Sequence, residues 1–165
     1  MGSSTGPSEF VVEMDELDVE VCWWLIARTR FGRVAFVADG VPAVRPVNCG
    51  VLNRHVVFRT GADSALGRMA DGSPVAFEVD ETDQVAKSGW SVIVTGHLSP
   101  LTDADELGRL GEFDLHPWAP GGRDRWMKVT PTSISGREVT RHRDFAASGQ
   151  TSYTPPGGVG DAAAE

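Results

Sequence analysis

Turn signals divide the middle of the chain into short strands. The dipeptides Asp39-Gly40 and Asn53-Arg54 each separate two runs rich in β-branched and aromatic residues, a pattern typical of hairpins. The three runs are 33–38, 41–49 and 55–60. Because a tight turn joins neighbouring antiparallel strands, the pattern predicts a three-stranded meander within one sheet.

Two prolines interrupt the second of these strands, at Pro42 and Pro46. Proline has no amide hydrogen to donate, so within a sheet it lies mostly at edges and bulges. We therefore expect something other than a neighbouring strand to approach the backbone at Pro46.

Three short helices are expected between the strands. The first has Asp18 as its N-cap and an apolar stripe that includes Val21, Trp24 and Leu25. Asp63 or Ser64 would cap the second, within 61–70, and Thr102 or Asp103 would cap a third that runs to Glu112. The remaining predicted strands are 74–79, 90–98, 125–129 and 133–139, with a polar loop over 80–89 and a hairpin between the last two strands.

The length and composition indicate one domain, mostly β with short helices. The 165 residues include 19 glycines and 10 prolines spread between short apolar runs, which favours strands and turns over a helical bundle. We expect a flexible N-terminal segment over 1–13, the domain over 14–140, and a disordered tail over 141–165 that is rich in Ser, Gly, Pro and Ala.

Charge and cysteine content exclude several classes of partner. A net charge of −8 argues against nucleic acid, whose binding depends on clustered Lys and Arg. Cys22 and Cys49 are predicted to be buried thiols, and the four histidines show no metal-ligand spacing. Without a signal or membrane-spanning pattern, we expect a cytoplasmic protein that binds neither membranes nor metal.

The order of several segments resembles a known family. Arg45-Pro46-Val47-Asn48 and Val56-Val57-Phe58-Arg59-Thr60 are followed by a capped start over 61–66, and this set is similar to the FMN-binding split-barrel family that includes pyridoxamine 5'-phosphate oxidase. The segments 32–36, 74–80, 89–92 and the pairs Pro117-Trp118 and Arg125-Trp126 agree in sequence order. The resemblance spans residues 18–139.

The resemblance implies a homodimeric β-barrel with flavin sites at the subunit interface. Residues 46–48 would lie along the isoalloxazine ring, the phosphate would meet Arg59, Thr60, Ser64 and Ala65, and the partner chain would supply Trp90 and Ser91. The implied cofactor-binding residues are Pro46, Val47, Asn48, Phe58, Arg59, Thr60, Ser64, Ala65, Leu66, Trp90, Ser91 and Trp126. The Arg59 guanidinium, two hydroxyls and free amides near Ser64 are also suitable materials for an anion site on physical grounds alone.

The chain departs from the family pattern at two places. Ala65 stands where the family often has a phosphate-binding lysine, and Arg68 is the candidate to compensate. The arginine-rich ending by which true pyridoxamine-phosphate oxidases bind substrate is not visible after Arg141. Oxidation of vitamin B6 is therefore disfavoured.

The resemblance implies an FMN-dependent oxidoreductase that transfers hydride at flavin N5 to or from a small-molecule substrate. No catalytic acid or base is assigned, since the cofactor itself performs the difficult step. Two alternatives remain: the deazaflavin F420 replaces FMN, or the protein is a non-catalytic module for flavin or haem, with His116 as an axial ligand in the haem case. A decayed site on a dimeric scaffold is a further alternative.

Overall fold

The computed structural model describes residues 10–110, 122 and 124–143. In this part of the chain seven strands and two helices follow one another. They are β1 (Phe10–Glu16), α1 (Val19–Thr29), β2 (Phe31–Ala38), β3 (Val41–Leu52), β4 (His55–Thr60), β5 (Ser73–Asp83), β6 (Ser88–Pro100), α2 (Ala104–Leu110) and β7 (Arg125–Arg143).

The strands form one antiparallel sheet that closes on itself. The order is β1-β7-β4-β3-β2-β5-β6, and β6 pairs in addition with β7. The six strands from β2 to β7 therefore make a ring, with β1 added along the second half of β7. Closure removes the exposed edges of the sheet wherever two neighbours are paired. The prediction of a mostly β barrel with short helices is confirmed.

In the two predicted turns, Asp39, Gly40 and Asn53 have the positive φ that their residue types readily accept, and Arg54 adopts it as well. Asp39 and Gly40 have φ values of 51° and 76°, and Asn53 and Arg54 have values of 50° and 59°. Positive φ at both central positions is characteristic of the type I′ turn, whose twist matches that of a two-stranded ribbon. The meander of β2, β3 and β4 follows from these two turns and is confirmed.

The core fills the barrel and continues under α1. Alternate residues of the strands point inward, and Val34, Phe58, Phe77, Val94 and Met127 are each fully buried. A second, smaller cluster joins α2 to the barrel wall through Leu52, Val57, Leu101 and Leu110, with Trp126 packed against it.

The helix α1 differs from its prediction in two respects. Asp18 occupies the N-cap position, but its side chain makes no capping hydrogen bond. Trp23 faces the core at 8% exposure, while Trp24 is 58% exposed and lies outside the buried face. The buried residues Cys22, Leu25 and Ile26 define that face. Because Trp23 and Trp24 are adjacent, only one of them can join it.

Residues 61–70 form a series of turns rather than the predicted second helix. The amide of Arg68 donates to the carbonyl of Ser64 at 3.0 Å, which is the spacing of an α-helix. The amide of Ser64 donates to the carbonyl of Gly61, and the amide of Met69 donates to the carbonyl of Leu66, which is the shorter spacing of a turn. These mixed spacings prevent a regular helix. The cap predicted at Asp103 is confirmed, since its Oδ1 accepts from the amide of Glu106 at 2.9 Å. α2 is described over Ala104–Leu110, and its predicted end at Glu112 lies outside the described residues.

The predicted final hairpin is instead one continuous strand, β7. Both halves pair with β6, and the register shifts between Thr95 and Gly96. The hydroxyl of Thr132 donates to the carbonyl of Thr95 at 3.1 Å. The residues around Pro131, where a hairpin turn was predicted, therefore form a bulge within β7.

Strand limits also extend beyond the predicted ones. β5 and β6 occupy most of the polar segment 80–89, and leave only 84–87 as their turn. Residues 10–13 belong to β1, although they fall in the segment expected to be flexible, because all seven residues of β1 pair with β7. β7 likewise continues to Arg143, beyond the expected end of the domain. The expected tail from residue 144 lies outside the described residues.

Candidate functional site

Arg59 carries the main electrostatic feature of the candidate site. It lies on β4 directly opposite Trp126 of β7, and its guanidinium carbon is 5.5 Å from the centre of the indole ring. Its Nε atom is buried and has no hydrogen-bond partner among the described residues. A buried N–H group without a partner costs about 1–3 kcal/mol. Such an atom indicates a place for an acceptor.

Thr60 follows Arg59 on β4, and its side chain is joined to that of Ser64. Thr60 is 5% exposed, and its hydroxyl is 2.7 Å from that of Ser64. The Ser64 oxygen also accepts from the amide of Gly67 at 3.0 Å. The two hydroxyls have two hydrogens and use one for their mutual bond. One hydroxyl donor is therefore left for a ligand near the end of β4.

A tight turn holds Ser64 in position. A Cβ atom at Gly67 would lie 2.2 Å from the carbonyl oxygen of Gly61 and 2.7 Å from that of Ala62. No side chain can occupy position 67 without moving the backbone. The glycine thus allows residues 61–67 to fold back and to place the Ser64 hydroxyl against Thr60.

The other predicted residues of this segment lie behind or beside these groups. Phe58 and Leu66 are buried in the core at 0% and 3% exposure. Their side chains therefore pack behind the site and do not face a ligand. Ala65 is half-buried and lines a cavity of about 240 Å³ together with Arg68. The Arg68 guanidinium donates to the carbonyl of Asp63. This contact holds Arg68 on its own turn.

Residues 46–48 run along the barrel next to β2. Pro46 is opposite Arg33, and Val47 is opposite Gly32. β4 pairs with β3 only from Cys49 onward, so the second edge of β3 at Pro46 and Val47 is not covered by a strand of the described chain. Pro46 is exposed, Val47 is buried and Asn48 is half-buried. The uncovered edge at Pro46 agrees with the expectation from its missing amide hydrogen.

Trp90 and Ser91 lie far from Arg59 within the same chain. Ser91 pairs with Arg137 of β7, whereas Thr60 pairs with Arg125. Twelve positions along a strand correspond to about 40 Å. The structure therefore brings Trp126 to Arg59 but places Trp90 and Ser91 towards the opposite end of β7.

A groove of about 560 Å³ surrounds Trp90 and Ser91. We call it the Trp90 groove. Its lining includes Met14, Glu78, Asp80, Lys87, Trp90 and Arg137.

Charged residues that the sequence did not single out line this groove. Arg33 donates from one nitrogen to Glu78 at 3.0 Å and to Asp80 at 2.6 Å. The hydrogen bonds to Asp80 and then Glu78 raise the pKa of Arg33 above its ordinary value. Glu78 and Asp80 are separated by one residue on a strand, which places both carboxylates on one face. The spacing of Glu78 and Asp80 could have indicated from the sequence that their carboxylates share a face. The position of Arg33 beside these carboxylates depends on the pairing of β2 with β5.

The cysteines are buried and free, as predicted. Burial raises the pKa of Cys49 to about 12, and burial is also the main cause that raises the pKa of Cys22. A nucleophilic thiolate is disfavoured at both positions. The described residues contain no cluster of three or more metal-ligating side chains. Across the same part of the chain, no helix is long and apolar enough to cross a membrane.

Comparison with known proteins identifies the class. A family model described as pyridoxamine 5'-phosphate oxidase matches residues 18–138, and the chain belongs to this flavin-binding split-barrel family. An uncharacterized protein of Mycobacterium tuberculosis is 34% identical over 143 residues, which covers 84% of this chain and 93% of the relative. The family resemblance noted from the sequence is thereby confirmed.

Solved structures agree with the fold. An FAD-binding protein from Mycobacterium smegmatis is 33% identical, with a TM-score of 0.65, and the match covers 76% of this chain and 99% of that one. An FAD-binding protein from Mesorhizobium loti is 24% identical, with a TM-score of 0.62 and coverage of 79% and 99%. The second similarity supports the fold alone.

Proposed function

We propose that the protein binds a flavin nucleotide through Arg59, Thr60 and Ser64, and that it acts as a flavin-dependent oxidoreductase on a small molecule. The observation that carries this proposal is the buried Nε of Arg59, which has no hydrogen-bond partner among the described residues. A phosphate oxygen would accept from this atom and remove the cost of leaving it unsatisfied.

The surroundings of Arg59 favour an anion with several oxygens. The guanidinium is planar and presents donors in a fixed fork, and its contact with the Trp126 ring restricts how the fork can turn. The Thr60–Ser64 pair supplies one further hydroxyl donor near the end of β4. A phosphate monoester has enough acceptor oxygens for both the guanidinium and this hydroxyl.

The remaining residues would shape the environment of the cofactor. The uncovered edge of β3 at Pro46 and Val47 offers backbone groups to the edge of a planar ring. When bound, the flavin would supply hydride transfer at its N5 atom. The chain then needs to hold the ring, neutralise the phosphate and exclude water, which agrees with the lack of an assigned acid or base.

FMN is the proposed cofactor, with FAD and F420 as the alternatives. FAD contains the same ribityl phosphate, and its case is supported by the M. smegmatis FAD-binding protein at 33% identity. F420 is an alternative that the missing lysine at Ala65 permits. The His116 proposed for a haem module lies outside the described residues.

A homodimer is part of the proposal. Trp90 and Ser91 are too far from Arg59 in one chain to meet the same flavin, so a second copy would have to supply them. Val37 and Val44 lie on the outward face of the β2–β3 hairpin and are 59% and 53% exposed. A second copy would remove this face from water. We also propose a cytoplasmic location, which the two free cysteines support.

Titration tests the proposal directly. Purified protein is titrated with FMN, FAD, F420 and haemin while the absorbance spectrum and the melting temperature are followed. We expect saturation by one flavin at about one per chain and a rise in melting temperature, as linkage requires. Bleaching of the bound chromophore by NADPH and recovery in air would distinguish an oxidoreductase from a binding module. If no flavin binds, the proposed function is wrong.

A further inference from the structure

Helix α2 packs on the part of the barrel wall that carries Arg59. Leu110 of α2 and Val57 of β4 are buried in one cluster, and Trp126 packs against that cluster. Val57 and Arg59 are two residues apart on β4, so their side chains lie on the same face of the strand. α2 therefore covers the side of β4 from which the Arg59 side chain extends.

Trp126 contacts both this cluster and Arg59. Its ring packs against the cluster, and the guanidinium carbon of Arg59 is 5.5 Å from the ring centre. The backbone of Trp126 is also fixed, since its carbonyl accepts from the amide of Leu101 at 3.0 Å. A displacement of α2 that turns the Trp126 ring would therefore change the surface on which the guanidinium rests.

Two polar contacts fasten α2 to the wall. The Lys128 ammonium on β7 is 2.9 Å from the Glu106 Oε2 on α2. At the other end of the helix, Arg109 donates to the Asn53 Oδ1 at 3.0 Å. Trp126 and Lys128 are two residues apart on β7 and share one face of that strand. The ion pair thus joins α2 to β7 at the position next to Trp126.

The ion pair between Lys128 and Glu106 is largely shielded from water. The two side chains are 25% and 19% exposed, and a partly buried pair is screened less than a pair at the surface. A charge in such a place is costly without its partner. The carboxylate of Glu106 therefore keeps the Lys128 ammonium directed at α2.

We infer that the Lys128–Glu106 ion pair positions the phosphate-binding arginine. The pair holds α2 on the barrel, α2 fixes the Trp126 ring, and the ring keeps the Arg59 guanidinium in the orientation that presents Nε to an acceptor. Lys128 and Glu106 are positioning residues and do not touch the ligand. The inference rests on the proposed function only in taking a flavin phosphate as that acceptor.

A ¹⁵N–¹H correlation spectrum of the full-length protein without flavin tests the positioning directly. The Arg59 Nε–H signal is the one that Arg59→Ala removes, and its burial predicts slow exchange with water. Lys128→Met keeps an unbranched side chain but cannot pair with Glu106. In this variant the Nε–H should exchange about tenfold faster or more, because the closed arrangement opens more often. An unchanged Arg59 signal would overturn the inference.

Flavin affinity distinguishes positioning from direct contact between Lys128 and the phosphate. Lys128→Met should weaken FMN binding by about threefold to tenfold, whereas riboflavin, which lacks the phosphate, should bind as before. Glu106→Gln should also weaken FMN binding, because it loosens α2. If Lys128 were a phosphate ligand, loss of the Glu106 charge would tighten FMN binding instead, and that result would refute the positioning role. The exchanged pair Lys128→Glu with Glu106→Lys should recover most of the lost affinity.

A core variant controls for a general loss of stability. Val94 of β6 is fully buried, and Val94→Ala should lower the melting temperature at least as much as Lys128→Met does. It should nevertheless keep the ratio of FMN to riboflavin affinity and the slow exchange of the Arg59 Nε–H. If Val94→Ala changes both readouts as strongly as Lys128→Met, the effect is general and the inference fails.

The two readouts also separate this inference from the proposed function. If no flavin binds but the Arg59 signal still depends on Lys128, the proposed function fails and the positioning pair stands. If FMN binds through Arg59 and its affinity is the same in Lys128→Met and Glu106→Gln, the proposed function stands and the inference fails.

Discussion

Arg59 lies across the β4–β7 ladder from Trp126, with its guanidinium carbon 5.5 Å from the ring centre and its Nε buried without a hydrogen-bond partner in the described chain. The ring holds the cation in place, but it cannot accept the Nε hydrogen in a conventional hydrogen bond. Within the described chain this donor is left unsatisfied, at a cost to stability. Such a cost is typical of binding sites, where the ligand supplies the missing acceptor.

Arg59→Ala should weaken binding of a phosphate-bearing flavin by about 1.5–3 kcal/mol, which is the usual contribution of a hydrogen bond to a charged group. The unliganded protein should lose little stability, because the substitution also removes an unsatisfied donor. Affinity is measured by fluorescence titration and stability by urea unfolding. Arg54→Ala serves as the matched control. Equal flavin affinity in both variants would contradict the site assignment.

Gly67→Ala should destabilise the protein by about 2 kcal/mol or more, since its Cβ atom would lie 2.2 Å from the Gly61 carbonyl oxygen. The same change should weaken flavin binding, because the turn that positions Ser64 must open. The control is Gly108→Ala in α2, where a Cβ atom meets nothing within 4 Å. That change should stabilise by up to about 1 kcal/mol. A neutral effect of Gly67→Ala in urea unfolding would show that the turn can relax.

Ala65→Lys should restore the cation that the family often places after the serine. Ala65 borders a cavity of about 240 Å³, so a longer side chain has room to extend. We expect FMN to bind about tenfold more tightly, while riboflavin, which lacks the phosphate, should bind as before. Ala65→Met controls for side-chain length. If riboflavin and FMN gain equally, the added contact is not with phosphate.

Cys49 should make stability fall at alkaline pH. Its pKa is raised to about 12 from an ordinary 9.0 by burial, so between these values the unfolded chain loses a proton that the folded protein keeps. Unfolding then becomes easier as pH rises, by up to about 1.4 kcal/mol per pH unit. Urea unfolding from pH 8 to 11 measures the slope. Cys49→Ala should be less stable at pH 8 but should lack this contribution, and an identical slope would refute it.

The local sequence determined the parts of the fold that depend on backbone preference. Asp39, Gly40 and Asn53 readily accept positive φ, so both hairpins could be predicted from the turns they begin. Alternation of apolar residues identified most strands. Thr60 and Ser64 are only four residues apart, so their association could also be anticipated, although residues 61–70 form turns rather than the predicted helix.

Pairing between strands that are distant in sequence decided which side chains meet at each site. Arg59 meets Trp126, and Arg33 meets Glu78, only because the strand registers place them side by side. The extension of β7 and its pairing with β1 likewise depend on edges that other strands create. Register follows from the packing of the whole barrel and from bulges such as the one at Thr95 and Gly96. Local propensity predicts strands and turns, whereas the positions of the charged groups around both sites are set by the closed sheet.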